Sequence, residues 1–165
     1  MQVNVWQQVT DASPRDGAGR SLADMEGWAS EHERRDGFIE RFSFAVPSKQ
    51  AVRRIKEFVG ERRLLEVGAG TGLWARLLSE AGVAVTAVDN ASFRGRVAFA
   101  VGSWYEVERL EALLAVSRYA DHAALMLCWP DYDTPMAADA LAAFQGDRLV
   151  YIGEGESGCT GDERE

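Results

Sequence analysis

The run Leu64-Leu65-Glu66-Val67-Gly68-Ala69-Gly70-Thr71-Gly72-Leu73-Trp74 constrains the fold of this 165-residue chain more than any other segment. Its apolar start reads as a buried strand. The alternating glycines Gly68, Gly70 and Gly72 read as a tight turn opening a helix, with no Cβ in the way of a ligand and positive φ accessible. A glycine turn between strand and helix is a nucleotide cradle. A second apolar run, Val83 to Val88, ends in Asp89, at roughly the twenty-residue distance at which a ribose-binding carboxylate follows such a turn. A bare strand-to-helix turn accounts for the glycines but not for Asp89.

Dinucleotide enzymes favour Gly-x-Gly-x-x-Gly, which seats a diphosphate on the helix amides. Here the third glycine comes one residue earlier, and Glu66 stands two residues before the first. A carboxylate suits a ligand carrying an ammonium and a sulfonium better than a diphosphate. The pattern resembles the first two motifs of class I S-adenosylmethionine-dependent methyltransferases, a Glu/Asp-x-Gly-x-Gly-x-Gly turn followed by an acidic residue at the end of the second strand. The resemblance implies S-adenosylmethionine as cofactor. Asp89 would hold the ribose hydroxyls with both oxygens, and Glu66 would order the turn and the cofactor's amino end. Otherwise Asp89 is a loop-capping carboxylate.

The rest of the chain alternates at the rhythm of an α/β doubly wound, mostly parallel sheet of about five strands, preceded by N-terminal helices. Strands are expected near 63–67, 83–88, 97–101, 123–128 and 148–152, and helices near 72–81, 104–117 and 135–145. Residues 1–20, with the turn-rich run Asp11 to Gly19, are expected to form a flexible arm. A single domain spans 21–153: one helix runs from Ser21 to about Gly37, and a second, capped by Ser48 and stopped by Gly60, carries Val52, Ile55, Phe58 and Val59 at core spacing. Residues 154–165 form a glycine-rich acidic tail.

Ligands of such sheets bind beyond the carboxyl ends of the strands, where strand order reverses. That rule gathers Gly68 to Gly72, Asp89 to Ser92, Gly102 to Tyr105, Cys128 to Asp133 and Gly153 to Glu156 at one rim. On the methyltransferase analogy, Gly68, Ala69, Gly70, Gly72, Asn90 and Cys128 join Glu66 and Asp89 around the cofactor. Gly102-Ser103-Trp104-Tyr105 falls where related enzymes hold the adenine. Ser103 and Trp104 are its contacts, or Trp104 is a core-packing residue. Leu127-Cys128-Trp129-Pro130-Asp131-Tyr132 looks like a degraded Asn/Asp-Pro-Pro-Tyr motif of amino-group methyltransferases. Trp129 replaces the polar residue and Asp131 the second proline, so amine methylation does not simply carry over. Asp131 is the candidate general base or cation-binding residue and Tyr132 a candidate pocket wall, or the segment is a turn leading to Thr134-Pro135.

The segment Phe42-Ser43-Phe44-Ala45-Val46-Pro47 is apolar and aromatic without regular period, and packs against the sheet or folds across the cofactor mouth. This segment, the glycine turn, the Trp-Pro segment and the ending Gly153-Glu154-Gly155 with Gly158-Cys159-Thr160-Gly161-Asp162 recur in one order in bacterial methyltransferase-like proteins, which the chain resembles over roughly residues 38–162.

Composition bounds the rest. A formal charge of −8 disfavours nucleic-acid partners, and Arg34-Arg35 and Arg53-Arg54 with Lys56 are interleaved with acids as on a solvated face. No apolar run reaches the ~18 residues of a membrane span, and the N-terminus reads as cytoplasmic. His32, His122, Cys128 and Cys159 show no metal-ligand spacing, so no metal is expected, and both thiols are read as free. A complete domain of the resembled class has seven strands, whereas few and polar residues follow Ile152. The fifth strand is therefore expected to lack the usual last two strands beside it and to leave an edge for a homodimer or a swapped element, or else for the N-terminal helices, to cover. The activity expected is methyl transfer to a small molecule or peptide. The alternative is a non-catalytic cofactor-binding or interaction module that dimerises through that edge.

Overall fold

A computed structural model of the chain describes residues 4–12, 28–93, 100–154 and 160. The elements follow in the order α1 (Val5–Ala12), α2 (Trp28–Arg41), α3 (Lys49–Val59), β1 (Leu64–Val67), α4 (Leu73–Glu80), β2 (Val85–Asp89), β3 (Val107–Arg109), α5 (Ala112–Arg118), β4 (Ala124–Cys128), α6 (Met136–Ala143) and β5 (Arg148–Ile152). The strands form one all-parallel sheet in the order β3-β2-β1-β4-β5, a Rossmann-like α/β fold. The chain builds outward from β1 through β2 to β3, then returns to the other side of β1 with β4. The reversal therefore lies between β1 and β4, and the crevice beyond their carboxyl ends is where such folds bind ligands.

Strands covered on both faces need apolar residues at every position, and β1 and β4 have them apart from Glu66. With a side-chain period of two, Leu64, Met126 and Val150 join α1, α2, α3 and α4 in one core layer. Leu65, Val67, Leu125 and Leu127 join α5 and α6 in the other. Ser48 caps α3 by accepting the Ala51 amide at 3.1 Å, and Gly60 ends it at φ 61°. No helix among the described residues is long and apolar enough to cross a membrane.

The structure departs from the sequence-based expectation in four places. Residues 5–12 are not a mobile arm: α1 buries Val5 and Val9, spaced one helical turn apart, in the first core layer. The turn-rich run begins only at its end, and residues 13–20 lie outside the described residues. The next helix continues to Arg41 rather than ending near Gly37, because Phe38 and Phe42 stack at 4.9 Å in the core and favour continuing past the glycine. Third, residues 104–117 are not one helix. Val107 to Arg109 pair with Ala87 to Asp89 as β3, and only from Glu111 does the chain turn into α5. The spacing of Val107, Leu110 and Leu114 mimics a helix, but the open side of β2 supplies a ladder that overrides it. Of the strand expected at 97–101, residues 94–99 lie outside the described residues, and Ala100 and Val101 are not in a strand.

The displaced segment braces the glycine turn from behind. Gly102 N donates to Gly70 O at 3.0 Å and Trp104 N to Thr71 O at 2.9 Å. Gly72 has φ 78°, and a Cβ there would lie 2.9 Å from Tyr105 Cβ and 3.2 Å from Tyr105 N. Gly72→Ala is therefore expected to destabilise the chain by roughly 2 kcal/mol or more, combining left-handed strain with a backbone clash. Gly37→Ala, inside α2 with open space around it, is expected to be neutral or to stabilise by about 0.5–1 kcal/mol. Urea denaturation of the two variants checks both signs.

Candidate functional site

At the carboxyl ends of β1, β2 and β4 lies a cleft of about 510 Å³, within the range of small-molecule sites. Its floor is Glu66 and the glycine turn. One side is Asp89, Asn90 and the β3–α5 junction Leu110 to Leu113. The opposite side is Cys128 to Asp131 with the start of α6, and Ile39 of α2 lines the cleft together with Ser43 and Phe44 of the α2–α3 connection.

Each wall has a local cause. Gly68, Gly70 and Gly72 all have positive φ, and Gly68 and Ala69 both donate to Val88 O at 3.0 Å, which fastens the turn to the end of β2. Asp89 completes the clamp: Oδ2 accepts from Gly70 N at 2.9 Å and Oδ1 from Ala91 N at 2.7 Å. The α2–α3 connection is tied down by Thr71 Oγ1, which donates to Phe42 O, and by Trp74 Nε1, which donates to Ala45 O at 3.1 Å. These anchors hold Phe44 over the cleft, where it meets Phe93 edge-on at 5.5 Å.

The sequence-predicted residues divide cleanly. Glu66, Gly68, Ala69, Gly70, Asp89, Asn90, Cys128 and Asp131 line the cleft; Gly72, Ser103, Trp104 and Tyr132 do not. Gly72 is the N-cap of α4. Ser103 and Trp104 precede β3 instead of following it, which keeps them out of the cleft. Trp104 stacks on Phe42 at 5.5 Å and donates Nε1 to Arg41 O at 2.7 Å, the core-packing role. Tyr132 is 67% exposed and walls nothing. In place of Ser103 and Trp104, the residues after the third strand that reach the cleft are Leu110, Glu111 and Leu113, and Glu111 accepts from Asn90 Nδ2 at 3.0 Å. Sequence reasoning missed these because it absorbed them into a helix. Asp139 was missed too, although its place on the first turn of α6, after Thr134-Pro135, was readable. His122 lies at the other end of the sheet, bonded to Asp121 at 2.9 Å and Thr86 at 2.8 Å.

The electrostatics centre on Glu66. Its side chain shares a face of the sheet with Leu64, is only 1% exposed, and its Oε2 has no hydrogen-bond partner. Burial, reinforced by the charge of Asp89 and opposed by a hydrogen bond from the Ala75 backbone, pushes its carboxyl up to about 8. Burial likewise holds the Cys128 thiol well above its ordinary value, with Glu66 adding to the effect, and raises Asp131, with help from Asp89. Every charged side chain on the cleft wall among the described residues is acidic: Glu66, Asp89, Glu111, Asp131 and Asp139. A buried carboxyl with an orphan oxygen costs stability unless something binds it. The arrangement suits a ligand that brings positive charge to the floor and apolar surface to the mouth.

Because the folded carboxyl of Glu66 keeps a proton that the unfolded one releases near 4.5, its contribution to stability is present at low pH and lost as pH rises toward about 8. Glu66→Gln removes that titration. Between pH 5.5 and 7.5 the variant is expected to gain roughly 2–3 kcal/mol relative to the unaltered chain, at about 1.4 kcal/mol per pH unit. Chemical denaturation of both proteins at the two pH values reads the difference directly.

Comparison of the chain with protein-family models, with curated proteins and with solved structures finds no match in any of the three.

Proposed function

We propose that the cleft binds S-adenosylmethionine and that the chain is a methyltransferase acting on a small molecule or peptide. The observation that carries this reading is the unpartnered, fully buried Glu66 oxygen beside a glycine turn with no Cβ at Gly68 and Gly70. An ammonium or sulfonium beside this carboxyl favours its ionised form and pairs with it, whereas a diphosphate gains nothing from a carboxyl that holds its proton. Asp89 is already bonded to two backbone amides, but a carboxylate has about four lone-pair sites, which leaves capacity for ribose hydroxyls. Phe44, Phe93, Leu110 and Leu113 offer the purine an apolar wall. The cofactor would supply an activated methyl group; the chain's part is to orient it, keep water from it and accept a proton at Asp131.

A second reading, a cofactor-binding module that pairs with a second copy, is favoured by the edge of the sheet. Among the described residues β5 pairs only with β4, and Leu149 and Tyr151 on it are 37% and 39% exposed. Light scattering is expected to give twice the 18.1 kDa chain mass if that edge pairs. Both readings share one ligand. Calorimetry is expected to show micromolar binding of S-adenosylmethionine or its demethylated product. Asp89→Ala should abolish the heat, and Glu66→Gln should weaken binding about tenfold, equivalent to about 1.4 kcal/mol. The absence of heat with either compound overturns the reading.

A further inference from the structure

We propose that binding at this cleft exchanges a proton for a cation: the carboxyl of Glu66 gives up its hydrogen as the positive end of the cofactor enters, so that occupancy follows pH as well as ligand concentration. The inference rests on the cofactor reading above and adds the regulation of that same site. Geometry carries it. Glu66 is 1% exposed on β1, with the buried Ala87 of β2 and Met126 of β4 beside it in the sheet, yet it lines the cleft. Its Oε2 has no hydrogen-bond partner. Ionised there with the cleft empty, the side chain would hold an unpaired charge away from water; protonated, it forgoes only hydrogen bonds.

The groups around it keep that proton in place. On β2 the charge acting on Glu66 is that of Asp89, of the same sign as its own ionised form. On β4 the Cys128 thiol is itself held protonated by burial and by Glu66. From α4 the Ala75 backbone opposes with a hydrogen bond, while the charged side chains of that helix, Arg76 and Glu80, pair with each other at 2.7 Å. Arg41 of α2 is bonded to Gln8 of α1 at 3.0 Å. Across the cleft Glu111, Asp131 and Asp139 are acids too, and no lysine, arginine or histidine lines it among the described residues. The cation that ionises Glu66 therefore comes with the ligand. The exchange balances: the carboxyl O–H bond breaks, its proton passes to buffer, and the carboxylate left behind pairs with the incoming ammonium or sulfonium. The empty carboxyl titrates at about 8, so at pH 7 and below most unliganded molecules have a proton to release, and affinity rises with pH across that range.

Two measurements on the full chain test this. Calorimetric titration of S-adenosylmethionine and of S-adenosylhomocysteine at pH 6 and pH 7, each in two buffers of different ionisation enthalpy, counts the protons released. About one proton per ligand bound is expected at pH 6, with affinity about tenfold tighter at pH 7. Glu66→Gln should release none and bind equally at both pH values. Infrared difference spectra of the unaltered chain against Glu66→Gln read the carboxyl directly: the band of a protonated acid is expected at pH 6 in the free protein and should vanish when either compound is added. Absence of that band in the free protein, binding without proton release, or a release that survives Glu66→Gln overturns the proposal and leaves the cofactor reading standing. If neither compound binds, the cofactor reading falls and the proton exchange falls with it.

Discussion

The carboxylate of Asp89 is the interaction on which the rest of the site depends. It stands at the end of β2 and accepts one amide from the glycine turn of β1 and one from its own exit loop, and with the backbone bonds from Gly68 and Ala69 to Val88 O it sets the separation of two strand ends. The turn has three residues at positive φ and little side-chain packing of its own, and would otherwise be the loosest part of the sheet's upper edge. With Asp89 in front and the Gly102–Tyr105 segment behind, it becomes a rigid cradle. Thr71 and Trp74 extend that rigidity to the α2–α3 connection, which places Phe44 across the mouth.

Within this frame Glu66 is an expense that packing alone does not explain. Its cross-strand partners are Ala87 and Met126, and an apolar residue at position 66 would complete the core layer made by Leu64 and its neighbours. A carboxyl there weakens the fold at neutral pH, and buried ionisable groups of this kind concentrate at functional sites. The same holds for Trp129, a bulky residue in a backbone conformation that glycine or asparagine adopts more easily. Glu66 and Trp129 line one cleft.

Much of this was legible in the residues. The strand, turn and helix around Gly68 to Gly72 were readable because each glycine there answers a local steric demand, and Asp89 because its distance from the turn follows from the length of a βαβ unit. The apolar run ending at Cys128 identified a central strand by the lack of alternation. What misled was periodicity without partners. Val107, Leu110 and Leu114 satisfy a helical template, yet Val107 lies in a strand because β2 offers its free edge, and that shift carried Trp104 out of the cleft and Glu111 into it. Val5 and Val9 were overlooked for the opposite reason. Two apolar residues on a short helix are a faint signal until α2 and α3 provide the surface they cover.

By itself, the sequence determined the Rossmann-like α/β class, the glycine turn and the acidic residue after the second strand, because these are set by steric and spacing rules acting within a few dozen residues. Which carboxylates are engaged and which are left without partners was decided only by the tertiary structure. Burial and hydrogen bonding depend on the neighbours that distant segments bring: β2 and α4 close over Glu66, the Gly70 amide meets Asp89, and Asp131 and Asp139 reach a common wall from separate elements. The local code states which groups are present, and only packing in three dimensions states what each of them still lacks.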